Sequence, residues 1–137
     1  MKRILPIALL LIIVFSGCTK KKESRIIGKW EDVQRIANPT NRNVWTFEDG
    51  TGFTIESFSI DGDTLISKIV GEYDLFRKNS QYNLKLEVIS GAINYYGVEG
   101  VYWIEEVNRE FLKITREEFL SDTIPGNPFV RFEMVKL

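Results

Sequence analysis

The chain has 137 residues, and its 18 basic and 19 acidic side chains give a formal net charge of −1. So balanced a charge argues against nucleic acid as a partner, because phosphate binding needs a clustered basic surface. The chain has no histidine and one cysteine, which excludes histidine-dependent triads, an intrachain disulfide and soft-ligand metal sites. We therefore expect a protein that is not an enzyme and that carries neither a metal nor another cofactor.

The first 17 residues have the layout of a secretory signal peptide. Met1-Lys2-Arg3 is a cationic start, residues 4–15 are apolar, and small residues follow. The apolar run is too short for a membrane-spanning helix, which needs about 20 residues, and Pro6 weakens any long helix. We predict that residues 1–17 are a signal peptide that is removed from the mature protein.

Ser16-Gly17-Cys18 resembles the lipobox of bacterial lipoproteins, in which the cysteine is lipidated and becomes the mature N-terminus. The resemblance implies that Cys18 is the lipid attachment site and that its lipid holds the protein on a cell membrane. An ordinary thiol at a signal cleavage site is the alternative. In bacteroidete-type lipoproteins, acidic residues after the cysteine often mark export to the cell surface. The basic run here favours the outer membrane facing the periplasm, with surface exposure still open.

Residues 18–25 are the predicted lipidated N-terminus and polar tether. They include Lys20-Lys21-Lys22 and lack apolar spacing, which predicts a solvated spacer of at most roughly 25 Å when extended. Contact between these lysines and anionic lipid headgroups is the alternative.

Residues 26–137 are predicted to form one domain. Removing residues 1–17 takes away Lys2 and Arg3 and no acidic residue, which leaves 120 residues with 16 basic and 19 acidic side chains. This length suits a single core. The remaining chain is rich in Val, Ile, Phe, Tyr, Trp and Thr, the residues that favour strands.

Turn signals divide this domain into short strands. Asp49-Gly50 lies between two strand-like runs and is typical of a tight hairpin. Asp61-Gly62-Asp63 marks a second turn, and the strand at 82–89 alternates apolar and polar residues. Residues 104–119 also fit a helical stripe, but their aromatic and β-branched content favours strand, turn and strand.

A bulge is expected in the strand at 51–60. Phe53 and Ile55 share one face, whereas Phe58 and Ile60 have the opposite parity. One extra residue near Ser57 would return all four side chains to a consistent pattern.

Seven to nine short strands joined mostly by hairpin turns predict an all-β fold, an antiparallel up-and-down meander. Closure into a barrel would remove the exposed strand edges, and about eight strands leave room for a filled core or one small ligand. An open β-sandwich is the alternative.

Gly28-Lys29-Trp30 resembles the Gly-x-Trp signature at the head of the first lipocalin strand. Residues 26–137 are similar to lipocalin-like lipoproteins of bacteroidetes, including the hairpin at 45–52 and the strand at 111–114. The resemblance implies a lipocalin-like eight-stranded β-barrel that is closed at one end. It implies a binding function only loosely, because one fold hosts many functions.

The resemblance also implies a contact between the first and last strands. Lipocalins place an arginine of the last strand against the first-strand tryptophan, which here is Trp30. Arg131 is the arginine of the last strand. It alternates with Val130, Phe132 and Met134, which share the opposite face, so its pairing with Trp30 stays open.

Paired carboxylates are the remaining candidates for chemistry. Asp61-x-Asp63 is interpreted as a turn, because hard-cation sites need six or more oxygens. Glu105-Glu106 and Glu117-Glu118 resemble the carboxylate pairs of glycosidases. Adjacent residues on a strand face opposite ways, which favours solvated side chains instead.

The aromatic content points to a binding role. Aromatic side chains fill barrel cores, but collectively they also form apolar pockets with a few polar groups at the mouth. We predict a small hydrophobic or amphipathic ligand; the alternative is a packed barrel that serves as an interaction or inhibitor protein for an envelope protein partner. The predicted ligand-binding residues are Trp45, Phe47, Phe53, Tyr73, Tyr95, Tyr96 and Trp103.

Overall fold

The strands close into a single barrel in which each pairs antiparallel with its neighbours in the chain and the first strand pairs with the last. This computed structural model describes residues 20–33, 39–91, 97–120 and 126–137. The predicted all-β up-and-down barrel is confirmed, and the open sandwich is wrong. The strands are β1 (Gly28–Asp32), β2 (Asn41–Phe47), β3 (Gly52–Ser59), β4 (Leu65–Lys78), β5 (Gln81–Ser90), β6 (Gly100–Val107), β7 (Phe111–Glu118) and β8 (Val130–Lys136).

The up-and-down order sorts the connections onto two ends of the barrel. One end, called the closed end, holds the start of β1 and the short connections at 48–51, 79–80 and 108–110. The other, called the loop end, holds the longer connections β1–β2, β3–β4, β5–β6 and β7–β8.

Residues 20–26 form a short helix, α1, although residues 18–25 were predicted to be a solvated spacer. The helix packs on the closed end: Ile26 is completely buried, and the Trp30 indole Nε1 donates a hydrogen bond to the Ile26 carbonyl at 2.7 Å. The Lys22 ammonium lies 5.5 Å from the centre of the Tyr82 ring. This part of the predicted tether is therefore folded against the barrel, whereas the predicted signal peptide and Cys18 lie outside the described residues.

The interior is filled by side chains that alternate along the strands. Leu84 and Leu86 of β5 face inward, as do Leu112 and Ile114 of β7, and all four have no exposed area. A side chain with no exposed area borders no space that would hold a water molecule. The strand-turn-strand prediction for 104–119 is confirmed by the β6–β7 pairing.

Four register shifts interrupt the pairing of the described strands. The register shifts between Ser57 and Phe58, which confirms the predicted bulge. A second shift lies at Val70 and Gly71, where the glycine lets the Phe53 ring and the Glu87 carbonyl approach the backbone so closely that a Cβ atom would collide with both. Bulges of this kind increase the local twist that a barrel requires.

Two further shifts lie in the β6–β7 pairing, one between Val101 and Tyr102 and one between Ile104 and Glu106, and neither was predicted. Ile104 pairs with Ile114 and Glu106 pairs with Lys113, so Glu105 is the extra residue. The side chains of both glutamates reach partners on the outer wall, as their ion pairs with Arg131 and Lys113 show. The expectation that adjacent glutamates face opposite ways is therefore wrong at 105 and 106, because the bulge interrupts the alternation.

Candidate functional site

Four of the predicted ligand-binding residues meet in the barrel interior. The Phe47 ring lies 5.3 Å from the Tyr73 ring and 6.2 Å from the Phe53 ring, measured between centroids. Trp45 lies 4.9 Å from Phe132. The Tyr73 hydroxyl donates to the Glu48 carbonyl at 2.8 Å, and burial raises the pKa of this phenol. The rings form one aromatic cluster with a satisfied polar group.

This aromatic cluster is a packed base rather than the wall of a cavity. Trp45, Phe47, Phe53 and Tyr73 each expose 3% or less of their surface. Such burial leaves no room beside them for even a small ligand. A molecule could reach these rings only by displacing them, so any ligand would have to lie nearer the loop end.

The other predicted site residues are not part of this cluster. Tyr95 and Tyr96 lie outside the described residues. Trp103 belongs to the outer wall, because it alternates with Tyr102 and Ile104, which are both buried in the core. In the sequence, Trp103 stands among several apolar residues, so the alternation alone did not show that its side chain faces outward.

The loop end of the interior holds a carboxylate that sequence reasoning missed. Asp32 pairs across the barrel seam with Met134, which is 1% exposed in the core, so its side chain faces inward. Among the described residues, no hydrogen-bond donor or cation partners the Asp32 carboxylate. Desolvation raises its pKa to about 6, because burial disfavours the charged form.

Two further polar side chains lie beside Asp32. Asn43 comes one position beyond the Val44 that pairs with Glu31, and so continues the register next to Asp32. The Ser57 hydroxyl donates to Asn43 Oδ1 at 2.6 Å. We call Asp32, Asn43 and Ser57 the polar rim. Trp30 and Trp45 face inward, and side chains alternate along a strand. Continuing that alternation toward the loop end would have predicted that Asp32 and Asn43 also face inward.

Apolar side chains that are only partly buried pack against the core in the halves of their strands that are nearer the loop end. They are therefore the part of the core within reach of the loop end. The arrangement offers an apolar floor below a few polar groups, as in small-molecule sites. These floor residues are Ile69, Val88, Val130 and Phe132.

On the opposite side of the loop end, Arg116 ties down two connections. Its guanidinium donates to the Pro128 carbonyl through Nε at 2.8 Å and to the Glu99 carbonyl through Nη1 at 3.2 Å. It also lies 4.6 Å from the Phe119 ring centre. The side chain is buried, and its bonds satisfy it while pinning the β5–β6 and β7–β8 connections.

Tyr102 supports the same side. Its hydroxyl donates to the Val98 carbonyl at 2.5 Å. Burial raises the pKa of this phenol strongly, and the neighbouring Arg116 offsets part of the rise. Tyr102 is therefore a neutral structural donor, and the half of the loop end near β6 and β7 is fastened in place.

At the closed end, Lys136 and not Arg131 lies against Trp30. The Lys136 ammonium lies 4.2 Å from the Trp30 ring centre and donates to the Ile27 carbonyl at 2.5 Å. Arg131 instead faces outward and binds Glu105 at 2.7 Å. The contact between the first and last strands at Trp30 is thus made by a lysine, five residues beyond Arg131.

The outer-wall glutamates are occupied by hydrogen bonds and ion pairs. Glu105 binds Arg131 and accepts a hydrogen bond from the Thr115 hydroxyl. Glu106 binds Lys113 at 2.7 Å and accepts from the Asn108 amide. Neither carboxylate is placed as a free acid or base. Within the described ranges, no three acidic or cysteine side chains converge as a metal site would require.

Comparisons with known proteins do not assign the chain to a family. No protein-family model matches the chain, and searches of curated proteins and of solved structures return no match. The eight-stranded antiparallel barrel is consistent with a lipocalin-like fold. No helix in the described part of the chain is both long and apolar enough to cross a bilayer.

Proposed function

We propose that this protein is a cell-envelope lipoprotein, lipidated at Cys18, whose lipocalin-like barrel binds a small amphipathic ligand at the loop end. The single observation that supports the binding role is Asp32. A half-buried carboxylate without a partner among the described residues is costly to maintain, and a ligand would relieve that cost. The packed base limits the ligand to the polar rim and the floor beneath it.

The polar rim favours a ligand with a hydrogen-bonding or cationic head and an apolar body. Asp32 supplies negative charge, and the Asn43–Ser57 pair supplies further hydrogen-bonding groups. Phe132 of the floor touches Trp45, so a bound molecule would change the environment of a tryptophan.

Tryptophan fluorescence tests the binding role. The lipid-free mature protein is titrated with amphiphiles that share one short alkyl chain and carry a cationic, neutral or anionic head. We expect saturable binding of the cationic member, weakened about tenfold or more by Asp32→Asn. Asp74→Asn, an exposed aspartate of β4, is the matched control and should bind as the unchanged protein does. Absence of saturation for every head group would refute the proposal.

Membrane fractionation tests the lipid attachment. Lipidation with two or more acyl chains holds a protein durably, at about 0.8 kcal/mol per buried methylene. Cys18→Ala should therefore leave the barrel folded and release it from membranes washed at high salt. Retention of this variant in washed membranes would contradict the assignment of Cys18.

A second candidate function, binding of an envelope protein, is supported by the hairpin between β3 and β4. Ile60, Leu65 and Ile66 are each at least half exposed on this hairpin, next to the loop end. Exposed apolar clusters of this kind often mark protein contacts. Chemical cross-linking in whole cells should then trap a stoichiometric partner that Leu65→Ser with Ile66→Ser loses and that Asp32→Asn retains; a partner retained by the hairpin variant would count against this surface.

A further inference from the structure

The closed end carries a groove lined mainly by cations. Lys21, Ser24 and Arg25 of α1 form one side, and Asn108 and Arg109 of the β6–β7 turn form the other, with Lys136 of β8 at the base. The groove has a volume of about 380 Å³. We call these six residues the basic groove. It is separate from the polar rim, which lies at the other end of the barrel.

The cations at the mouth of the groove are available to a ligand. Within the part of the chain that the structure describes, Lys21, Arg25 and Arg109 make no ion pair and no side-chain hydrogen bond. Cations elsewhere on the wall are matched to acids, as Lys78 is to Glu118. Unmatched like charges gathered in one groove repel one another, and an anion between them would relieve the repulsion.

The groove is built on fixed backbone rather than on free chain. Asn108 Oδ1 accepts the backbone N–H groups of Glu110 and Phe111, both at 2.8 Å, which holds the turn that carries Arg109. Lys136 is held by the Ile27 carbonyl at 2.5 Å, and burial lowers its pKa. The two sides of the groove therefore keep their separation without a ligand.

The position of the groove in the chain indicates the source of the anion. Lys21 comes three residues after Cys18, so at most about 11 Å of extended chain separates it from the proposed lipid. Since α1 packs on the closed end, lipidation at Cys18 would bring this end of the barrel to the membrane surface. The loop end would then point away from the bilayer.

We propose that the basic groove binds the phosphate of an anionic phospholipid headgroup in the membrane that carries the protein. This inference rests on the proposed lipid attachment at Cys18. Arginine forks match the oxygens of a phosphate, and lysine adds a point charge. Glu23 of α1 and Glu110 of the turn lie on the same two elements but do not line the groove. The contact would orient the barrel, while the acyl chains would supply most of the retention.

Vesicle sedimentation tests the groove without the lipid anchor. The protein used carries Cys18→Ala behind a leader that ordinary signal peptidase removes, and it keeps all of residues 20–137, within which every contact described above lies. Vesicles contain phosphatidylcholine alone, phosphatidylcholine with phosphatidylglycerol, or phosphatidylcholine made equally anionic with oleic acid. We expect preference for phosphatidylglycerol at low salt and loss of binding at about 1 M salt, where the Debye length is about 3 Å.

Substitutions locate the effect. Arg25→Gln with Arg109→Gln should weaken binding to phosphatidylglycerol vesicles about 25-fold, about fivefold for each cation near the surface. The control, Lys68→Gln with Lys85→Gln, removes the same charge from lysines that are paired to acids on the outer wall, and it should change binding less than about twofold. Thermal unfolding of both variants shows whether the barrel is intact.

Each alternative outcome overturns a defined part of the inference. Equal binding by the groove variant and the unchanged protein, or equal binding to neutral vesicles, removes the groove as a site. Equal binding to oleic acid vesicles would show that the groove responds to negative charge in general and does not recognise phosphate. If glycerol phosphate in solution saturates the groove and the protein shows no preference for phosphatidylglycerol vesicles, the ligand is a soluble phosphate and not a lipid headgroup. Failure of the lipid attachment is seen separately, as release of native protein from cell membranes by a high-salt wash.

Discussion

The two ends of this barrel are built in opposite ways. At the closed end, Trp30 is fully buried beneath α1 and is bonded to the Ile26 carbonyl, with Lys136 against its ring. At the loop end, the interior carries Asp32, a carboxylate without a described partner. The difference teaches that stability and the proposed binding are separated along one axis: the closed end holds the fold, and the loop end retains polar groups that the fold does not need.

The largest expected effect comes from the closed end. Trp30→Ala removes one of the two largest fully buried side chains and its bond to α1. We expect it to lower the free energy of unfolding by about 3–5 kcal/mol, as for other large aromatic truncations. Urea denaturation of the lipid-free protein measures this. Phe129→Ala, at a residue of the loop end that is 65% exposed, should change stability by less than about 0.5 kcal/mol; similar losses for both would erase the contrast between the ends.

A smaller effect is expected midway between the ends, at the bulge of β4. Gly71→Ala places a methyl group against the Phe53 ring and the Glu87 carbonyl. Overpacking of this kind costs about 1–3 kcal/mol. Gly97→Ala is the control, since a Cβ there meets open space. If Gly71→Ala unfolds at the same urea concentration as the control, the packed base is looser than its burial indicates.

The smallest effect concerns pH at the loop end. Burial raises the pKa of Asp32 from its ordinary value of 3.8 to about 6, so the folded state binds this proton more tightly than the unfolded state. The resulting stability is fully present below pH 3.8 and is lost as the pH rises through about 6. Allowing for solvent screening of a half-buried group, the loss is about 1–2 kcal/mol.

Asp32→Asn should remove that loss. The variant is expected to be more stable than the unchanged protein at pH 7 and close to it at pH 3.5, in urea titrations across this range. Asp74→Asn should keep the pH dependence of the unchanged protein. Equal pH dependence in all three proteins would show that Asp32 is solvated, and it would weaken the case for a ligand at the polar rim.

Much of the fold was predictable because its signals are local. The Asp49-Gly50 turn joins β2 to β3, and the parity change between Ile55 and Phe58 marks the bulge that the register shows. Turn chemistry and alternation act over a few residues, so they can be read without knowing what packs on the other side. The β6–β7 region was predicted as strands for the same reason, because its aromatic and β-branched content is a local signal.

The parts that failed depend on contacts between distant residues. Glu105 is bulged out toward Arg131 of β8, and no feature of the local sequence predicts that contact. Helix α1 forms where Ile26 is covered by the barrel. For the site, four predicted aromatic residues do meet, but whether their rings pack together or line a cavity depends on how the whole barrel closes.

Closure of the barrel also limits how a partner protein could be recognised. A sheet with open edges can accept an additional strand, and many proteins bind peptides in this way. Here β1 and β8 pair with each other, which removes the usual edge. Where β5 extends past its pairing with β6, the Glu99 carboxylate accepts the Val88 N–H at 2.8 Å. Recognition along the closed part of the sheet would therefore depend on side chains, so single substitutions on that surface should be enough to change which partner binds.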